Sequence, residues 1–331
     1  MAQWKNPQQA GTIQHRINSR GKQEYFIKGQ HVTLETLREQ MSLQDPQNPM
    51  MRYLEKDIPP YPTPVEFWVS KVAHVTAKSG FDGILESEQF KPGAGEFSWW
   101  GLKINKEDIL AAEKFYKEQN LGHQAQELKK QEPFLENFTL SPLFKSDTSR
   151  YGNYRFTFPL SELMQWYKEQ NCGGEEPVLR VYETVTYKQE IMYTVLIHSP
   201  ENNKRFKEYP LLERNKLVRY QDGKIIWKAQ AICETHWYQF VLGKAQRLYN
   251  HQFYVWDHVS LVFHLPNDAS FKIPRMRLKE ALDGCKLDEI NLSGYRGPQT
   301  KEERFSATET KMHIENDGSE SDGRFEFKKW W

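Results

Sequence analysis

Over residues 160–199 the hydrophobic period of this chain switches from that of a helix to that of a strand, and this limits the folds open to it. In Leu160–Asn171 the apolar residues Leu163, Met164 and Tyr167 fall on one helical face, with Ser161 placed as N-cap and Gly173-Gly174 placed to end the helix. Directly afterwards the period becomes two. Leu179, Val181, Val185 and Tyr187 alternate in Val178–Tyr187, and Ile191, Tyr193, Val195 and Ile197 alternate in Gln189–Ser199, which predicts two strands.

Further elements repeat this mixture. Phe67–Thr76 is rich in β-branched and aromatic residues and predicts one strand, followed by a helix over Ser79–Gln89 that carries Phe81, Ile84 and Leu85. Asn105, with Asp108 three residues on, predicts a helix start, and Leu121-Gly122 its end. Asp222-Gly223, between Leu217–Gln221 and Lys224–Cys233, predicts a two-residue hairpin, because a type I′ turn needs positive φ at both positions. Phe253–Leu265 predicts a strand and Pro274–Gly284 a helix with Met276, Leu278 and Leu282 inward. No internal repeat is visible. Helices mixed with mostly antiparallel strands define an α+β protein.

The 331 residues include 14% aromatics, which is a folded chain's composition, and the net charge of +1 argues against a polyanion binder held by bulk charge. Cys172, Cys233 and Cys285 form no CxxC, and no run of 18 apolar residues or signal-like N-terminus occurs, so the expected setting is soluble and reducing, cytoplasmic or nuclear, without a membrane partner. Residues 1–60 are Gln-rich and read as a flexible, partly helical arm, with Thr33 capping a short helix over Val32–Met41. Its first thirty residues carry Lys5, Arg16, Arg20, Lys22 and Lys28 against Glu24 alone. A proline-rich entry, Ile58 to Pro64, opens one globular α+β domain at 61–296. The polar tail, 297–331, is expected to be disordered.

Dinucleotide fingerprints, P-loops, nucleophile elbows and His-Glu-x-x-His are all absent. Three segments do carry a pattern. Val72-Ala-His74-Val75-Thr76 runs from a strand into a helix; Ser146-Asp-Thr-Ser149-Arg150-Tyr151-Gly-Asn-Tyr154 is a Ser/Thr-rich turn delivering tyrosines; and Lys188-Gln-Glu190 opens a β-branched strand. In the order His, Tyr, Glu they resemble the motifs of ADP-ribosyltransferases, specifically the poly(ADP-ribose) polymerase-like branch. The resemblance covers about residues 67–200 and leaves 201–296 as a β-rich extension.

The resemblance implies NAD as substrate and transfer of ADP-ribose to a protein or nucleic-acid acceptor. It implies Glu190 as the catalytic carboxylate, opposing the oxocarbenium charge that builds as the nicotinamide–ribose bond breaks. It also implies NAD-binding roles for the remaining motif residues: His74 and Thr76 on the ribose side, Tyr151 or Tyr154 stacking on nicotinamide, and Arg150 or Arg155 at the pyrophosphate. Glu183 competes with Glu190 for the carboxylate role. Val75 stands where the family has Gly, which favours the alternative of a catalytically inactive module used for protein or nucleic-acid interaction. A second grouping, Cys233, His236, Asp257, His258 and His264, has zinc-compatible ligand types but lacks zinc-finger spacing, so no metal is expected. The aromatic stretch from Trp227 to Trp256 is read as sheet core rather than as a stacking surface for nucleic acid.

Overall fold

The computed structural model describes residues 11–18, 21–54, 64–93, 95–121, 135, 151–188, 190–233, 238–241, 244–247 and 253–284. The chain opens with β1 (Gln14–Ile17) and β2 (Gln23–Lys28), then helices α1 (Leu34–Gln44) and α2 (Met51–Leu54). Thr33 caps α1 as its sequence predicts, its hydroxyl accepting the Thr36 N–H at 3.1 Å. Next come β3 (Val65–Val69), β4 (Lys71–Thr76), α3 (Lys78–Ser87), β5 (Gln89–Phe90), β6 (Phe97–Leu102) and α4 (Lys106–Leu121). At the start of α4 the Asp108 carboxylate accepts the Asn105 N–H at 2.8 Å. The middle of the chain supplies β7 (Tyr154–Pro159), α5 (Leu160–Asn171), β8 (Val178–Tyr187) and β9 (Glu190–His198). The remainder adds β10 (Val218–Gln221), β11 (Lys224–Ala229), β12 (Ala231–Cys233), β13 (Tyr238–Val241), β14 (Lys244–Arg247), β15 (Phe253–His264), β16 (Phe271–Lys272), α6 (Arg275–Ala281) and β17 (Leu282–Gly284). Among the described residues no helix is long and apolar enough to cross a membrane.

One large sheet organises these elements, in the order β1-β2-β8-β9-β15-β6-β4-β7-β17, with β12 also pairing with β15. All its pairs are antiparallel except β9 with β15. A smaller antiparallel sheet, β10-β11-β3, adds Val218, Ile225, Trp227, Phe67 and Val69 to the same core. Pairing runs through the Asp222-Gly223 turn from Gln221 to Lys224, with φ of 51° and 74° at the two turn residues, as the hairpin requires.

Because side chains alternate along a strand and paired residues share a face, the register sorts the large sheet into two faces. The core face carries Val195 and Ile197 of β9, Leu261 and Phe263 of β15, Trp100 of β6, Val72 of β4, and Phe156 and Phe158 of β7, all buried in one cluster with Leu37 and Met41 of α1 and Leu163 and Tyr167 of α5. The second face has a small apolar cluster of its own, Leu196 and Val262 under Phe206 and Tyr209, and mixes further apolar residues such as Val185 and Trp99 with polar ones.

Several expectations are corrected. The N-terminal segment is not only an arm: β2 pairs with β8, and Arg16 of β1 forms a two-pronged ion pair with the fully buried Glu183 at 2.8 and 2.9 Å, while its Nε donates to Glu24 at 2.6 Å. The basic residue thus neutralises an interior carboxylate. The strand predicted over 67–76 breaks at Ser70, whose carbonyl accepts the Leu160 N–H at 2.7 Å, so that β3 and β4 enter different sheets. Pro159, not Ser161, occupies the N-cap of α5. The helix predicted to Gly284 stops at Ala281, because Leu282–Gly284 pair with β7. Beyond residue 200, β15 lies between β9 and β6 in the large sheet. The tail beyond 296 lies outside the described residues.

Asp257 faces the core beside Tyr193, whose hydroxyl it bonds, and accepts the Gln230 N–H at 3.1 Å. Burial pushes its carboxyl up to about 8. The unfolded chain ionises near pH 4 while the folded chain stays protonated, so folding loses stability as pH rises between these values. Asp257→Asn is therefore expected to leave stability nearly unchanged at pH 4 and to raise it at pH 8 by on the order of 1–3 kcal/mol, measured by urea unfolding at both pH values.

Candidate functional site

The register shows which motif residues meet. Thr76 pairs with Tyr154, Val75 with Arg155 and His74 with Phe156, so the first two motif segments are neighbours on β4 and β7. Their junction depends on glycine. At Gly152, φ is 137°, and a Cβ there would fall 2.1 Å from the Thr76 carbonyl oxygen. A Cβ on Gly80 would fall 2.0 Å from the Thr76 hydroxyl, which α3 therefore holds in place. The turn bearing Tyr151 is thus clamped on the end of β4, and Tyr151 itself is 52% exposed.

The side chains of His74 and Tyr154 point into the core. The His74 ring packs against Phe90 and Trp100 at centroid distances of 5.2 Å, with Nδ1 3.0 Å from the Trp99 carbonyl oxygen, so that Nδ1 is the protonated nitrogen. Burial lowers its pKa from the usual histidine value. Tyr154 is buried and stacks on Phe81 with centroids 4.2 Å apart, which makes it a packing aromatic rather than a platform for a ligand ring. Arg150 lies outside the described residues.

Glu190 is elsewhere. Ala73 pairs with Gly101, Gly101 with Ser260 and Ser260 with Thr194, which fixes these four residues as one row on the second face. Glu190 lies four residues from Thr194 and therefore shares that face, whereas His74, one residue after Ala73, points to the other. Three strand spacings and five residues along the strands separate them, a distance on the order of 20 Å. His74, Thr76, Tyr151 and Tyr154 form one locality, and Glu190 does not join it. Glu183 is on the same face as Glu190 and is already engaged by Arg16.

The second face offers a different arrangement, which sequence reasoning missed. The row Thr194, Ser260, Gly101, Ala73, Thr157 crosses five strands with small side chains only. At its centre Gly101 is exposed, and no atom of the described residues lies within 4 Å of a Cβ placed there. Trp99, on the same face of β6, is 37% exposed. Lys103 and Lys71 flank the other side, joined by the Lys103 N–H to Lys71 carbonyl bond at 2.9 Å. The buried hydroxyls of Thr194 and Thr157 find no hydrogen-bond partner among the described residues. The result is a small floor between an indole and two ammonium groups. The in-out alternation of Phe97-Ser-Trp-Trp-Gly-Leu102 was the available signal, but placing Trp99 and Gly101 on the outer side requires knowing that Trp100 is central to the core.

Of the Cys/His grouping, Asp257 and His258 point to opposite faces, and His236 lies outside the described residues. Among the described residues no three His, Cys, Asp or Glu side chains gather as a metal site. No family model, no curated protein and no solved structure matches the chain.

The two glycines are expected to behave oppositely. Gly152→Ala should destabilise by roughly 2 kcal/mol or more, since φ and the Thr76 carbonyl both oppose a side chain, whereas Gly101→Ala should be neutral or stabilise by up to about 1 kcal/mol as a strand position with open space. Thermal unfolding of both variants checks this.

Proposed function

We propose that the chain is a non-catalytic binding protein, and that the His74 and Tyr154 elements resembling ADP-ribosyltransferase motifs serve it as scaffold. The observation that carries this is the register that separates His74 and Glu190 onto opposite sheet faces, where no shared cleft positions a carboxylate against a sugar held by the histidine. The binding surface is the floor at Gly101 between Trp99 and the pair Lys71 and Lys103. The near-neutral chain favours a protein partner over a polyanion, and the two lysines beside an indole suit a segment with acidic residues and one large apolar side chain.

Calorimetry with NAD is expected to give no binding heat, and incubation with NAD no free nicotinamide. Nicotinamide release abolished by Glu190→Gln would establish instead the transferase with Glu190 as its carboxylate. Peptides selected from a random display library on the wild-type chain should be enriched in Asp and Glu around one aromatic residue, and should bind the Lys71→Glu/Lys103→Glu variant at least tenfold more weakly. A selection without acidic bias removes this surface assignment.

A further inference from the structure

Residues 199–211 cross the second face at the end of β8 and β9 opposite Glu190, and side chains rather than a strand ladder hold most of them there. Phe206 and Tyr209 are buried on Leu196 and Val262. Arg180 of β8 acts as the clasp: its NH1 donates to the Tyr209 carbonyl at 2.7 Å, its NH2 to the Asn203 side-chain oxygen at 2.9 Å, and its Nε to His198 Nε2 at 2.8 Å. Among the described residues, backbone support comes from the Val181 N–H bonding the Pro210 carbonyl at 2.9 Å and an isolated bridge between Arg180 and Leu211. His198 Nδ1 lies 2.7 Å from the Ser199 carbonyl oxygen and must carry the ring proton, which leaves Nε2 as the acceptor Arg180 requires. The clasp therefore demands a neutral His198.

We propose that residues 199–211 form an acid-released strap, in which protonation of His198 at Nε2 turns the acceptor of Arg180 into a second donor, disengages the guanidinium and frees the segment from the sheet. The proton comes from solvent, and the imidazolium and guanidinium, both donors only, then face each other. The other charged and titratable groups around the ring do not offset this. His264 of β15 stands beside it, packed edge-on against Phe206 at 4.8 Å and 3.4 Å from Glu96, and Glu96 is held by Arg205 of the strap at 2.7 Å. Arg205 keeps Glu96 ionised below the usual carboxylate range, so mild acid acts on the Arg180 clasp, and the solvent-exposed Arg205–Glu96 pair is too weak to hold the strap alone. Tyr182 and Tyr209, at 5.1 Å from each other, stay neutral, since burial raises both. Release uncovers Leu196, Val262 and the rings of Phe97 and Tyr182 as a contiguous apolar patch beside Trp99.

Burial and the neighbouring Arg180 lower the His198 pKa to about 4 in the closed strap, and an opened strap that solvates the ring returns it toward the ordinary histidine value of about 6.5. The opening equilibrium then grows roughly 30-fold between pH 8 and pH 5. Hydrogen exchange of the full chain, corrected for the intrinsic pH dependence, reads this directly. The amides of Phe206, Tyr209 and Val181 are expected to lose protection about 30-fold, while those of β9 and β15 at Val195 and Leu261 change far less. His198→Gln, whose amide oxygen accepts from Arg180 at every pH, is expected to abolish the strap-specific loss. Equal loss in strap and sheet overturns the proposal, and this comparison uses wild type alone, so it stands even if the variant does not fold. A pH dependence that persists in His198→Gln also overturns it and assigns the titration to His264.

Discussion

The architecture depends on β15. This twelve-residue strand runs parallel to β9 on one side and antiparallel to β6 on the other, so it joins the β1-β2-β8-β9 half of the large sheet to the β6-β4-β7-β17 half. Its alternation sets the character of both faces at once: Val259, Leu261 and Phe263 close the core, while Ser260, Val262 and His264 point to the second face. The Tyr167 hydroxyl, donating to the His264 carbonyl at 2.6 Å, ties α5 to the end of the same strand. A polar hydroxyl is thereby satisfied inside the core without a side-chain partner.

The two faces treat polar groups differently. On the core side, burial keeps Asp257 uncharged, bonded to Tyr193 and a backbone amide. On the second face, charge is retained and paired: Glu183 with Arg16, Glu96 with Arg205, Arg180 with neutral acceptors. The buried members, Glu183 and Arg180, rest on their partners more than these add net stability, because a buried charge left alone costs far more than a well-made pair gains. Around Gly101 the second face turns from closed to open, and there its small side chains leave room beside Trp99.

Much of the local structure is legible in the sequence. The alternation of Ile191, Tyr193, Val195 and Ile197, the cap at Thr33 and the Asp222-Gly223 turn all express rules that act within a few residues. The order of strands does not, because nothing near Phe253 indicates that its strand enters between β9 and β6. The break at Ser70 depends on an N–H from Leu160, ninety residues on, and the basic residue Arg16 reads as solvated until Glu183 is known to lie beside it. The same gap explains the candidate site: His74, Tyr151 or Tyr154, and Glu190 follow one another in the order of the motifs they resemble, but the register alone decides which sheet face each strand residue occupies.

The reach of Arg16 to Glu183 also bears on how the chain is made. At the usual synthesis rates of ~5–20 residues per second, the 167 residues between them delay the meeting by roughly ten seconds or more. The first hairpin emerges without the strand it is to pair with. β9, in turn, completes its flank only after β15 appears, so both wait with unsatisfied edges, the condition in which nascent chains seek wrong strands. The Lys22 and Lys28 charges around β2 then discourage that waiting edge from pairing indiscriminately, as lysines on edge strands do, and Lys28 ends up opposite Glu183 once β8 arrives.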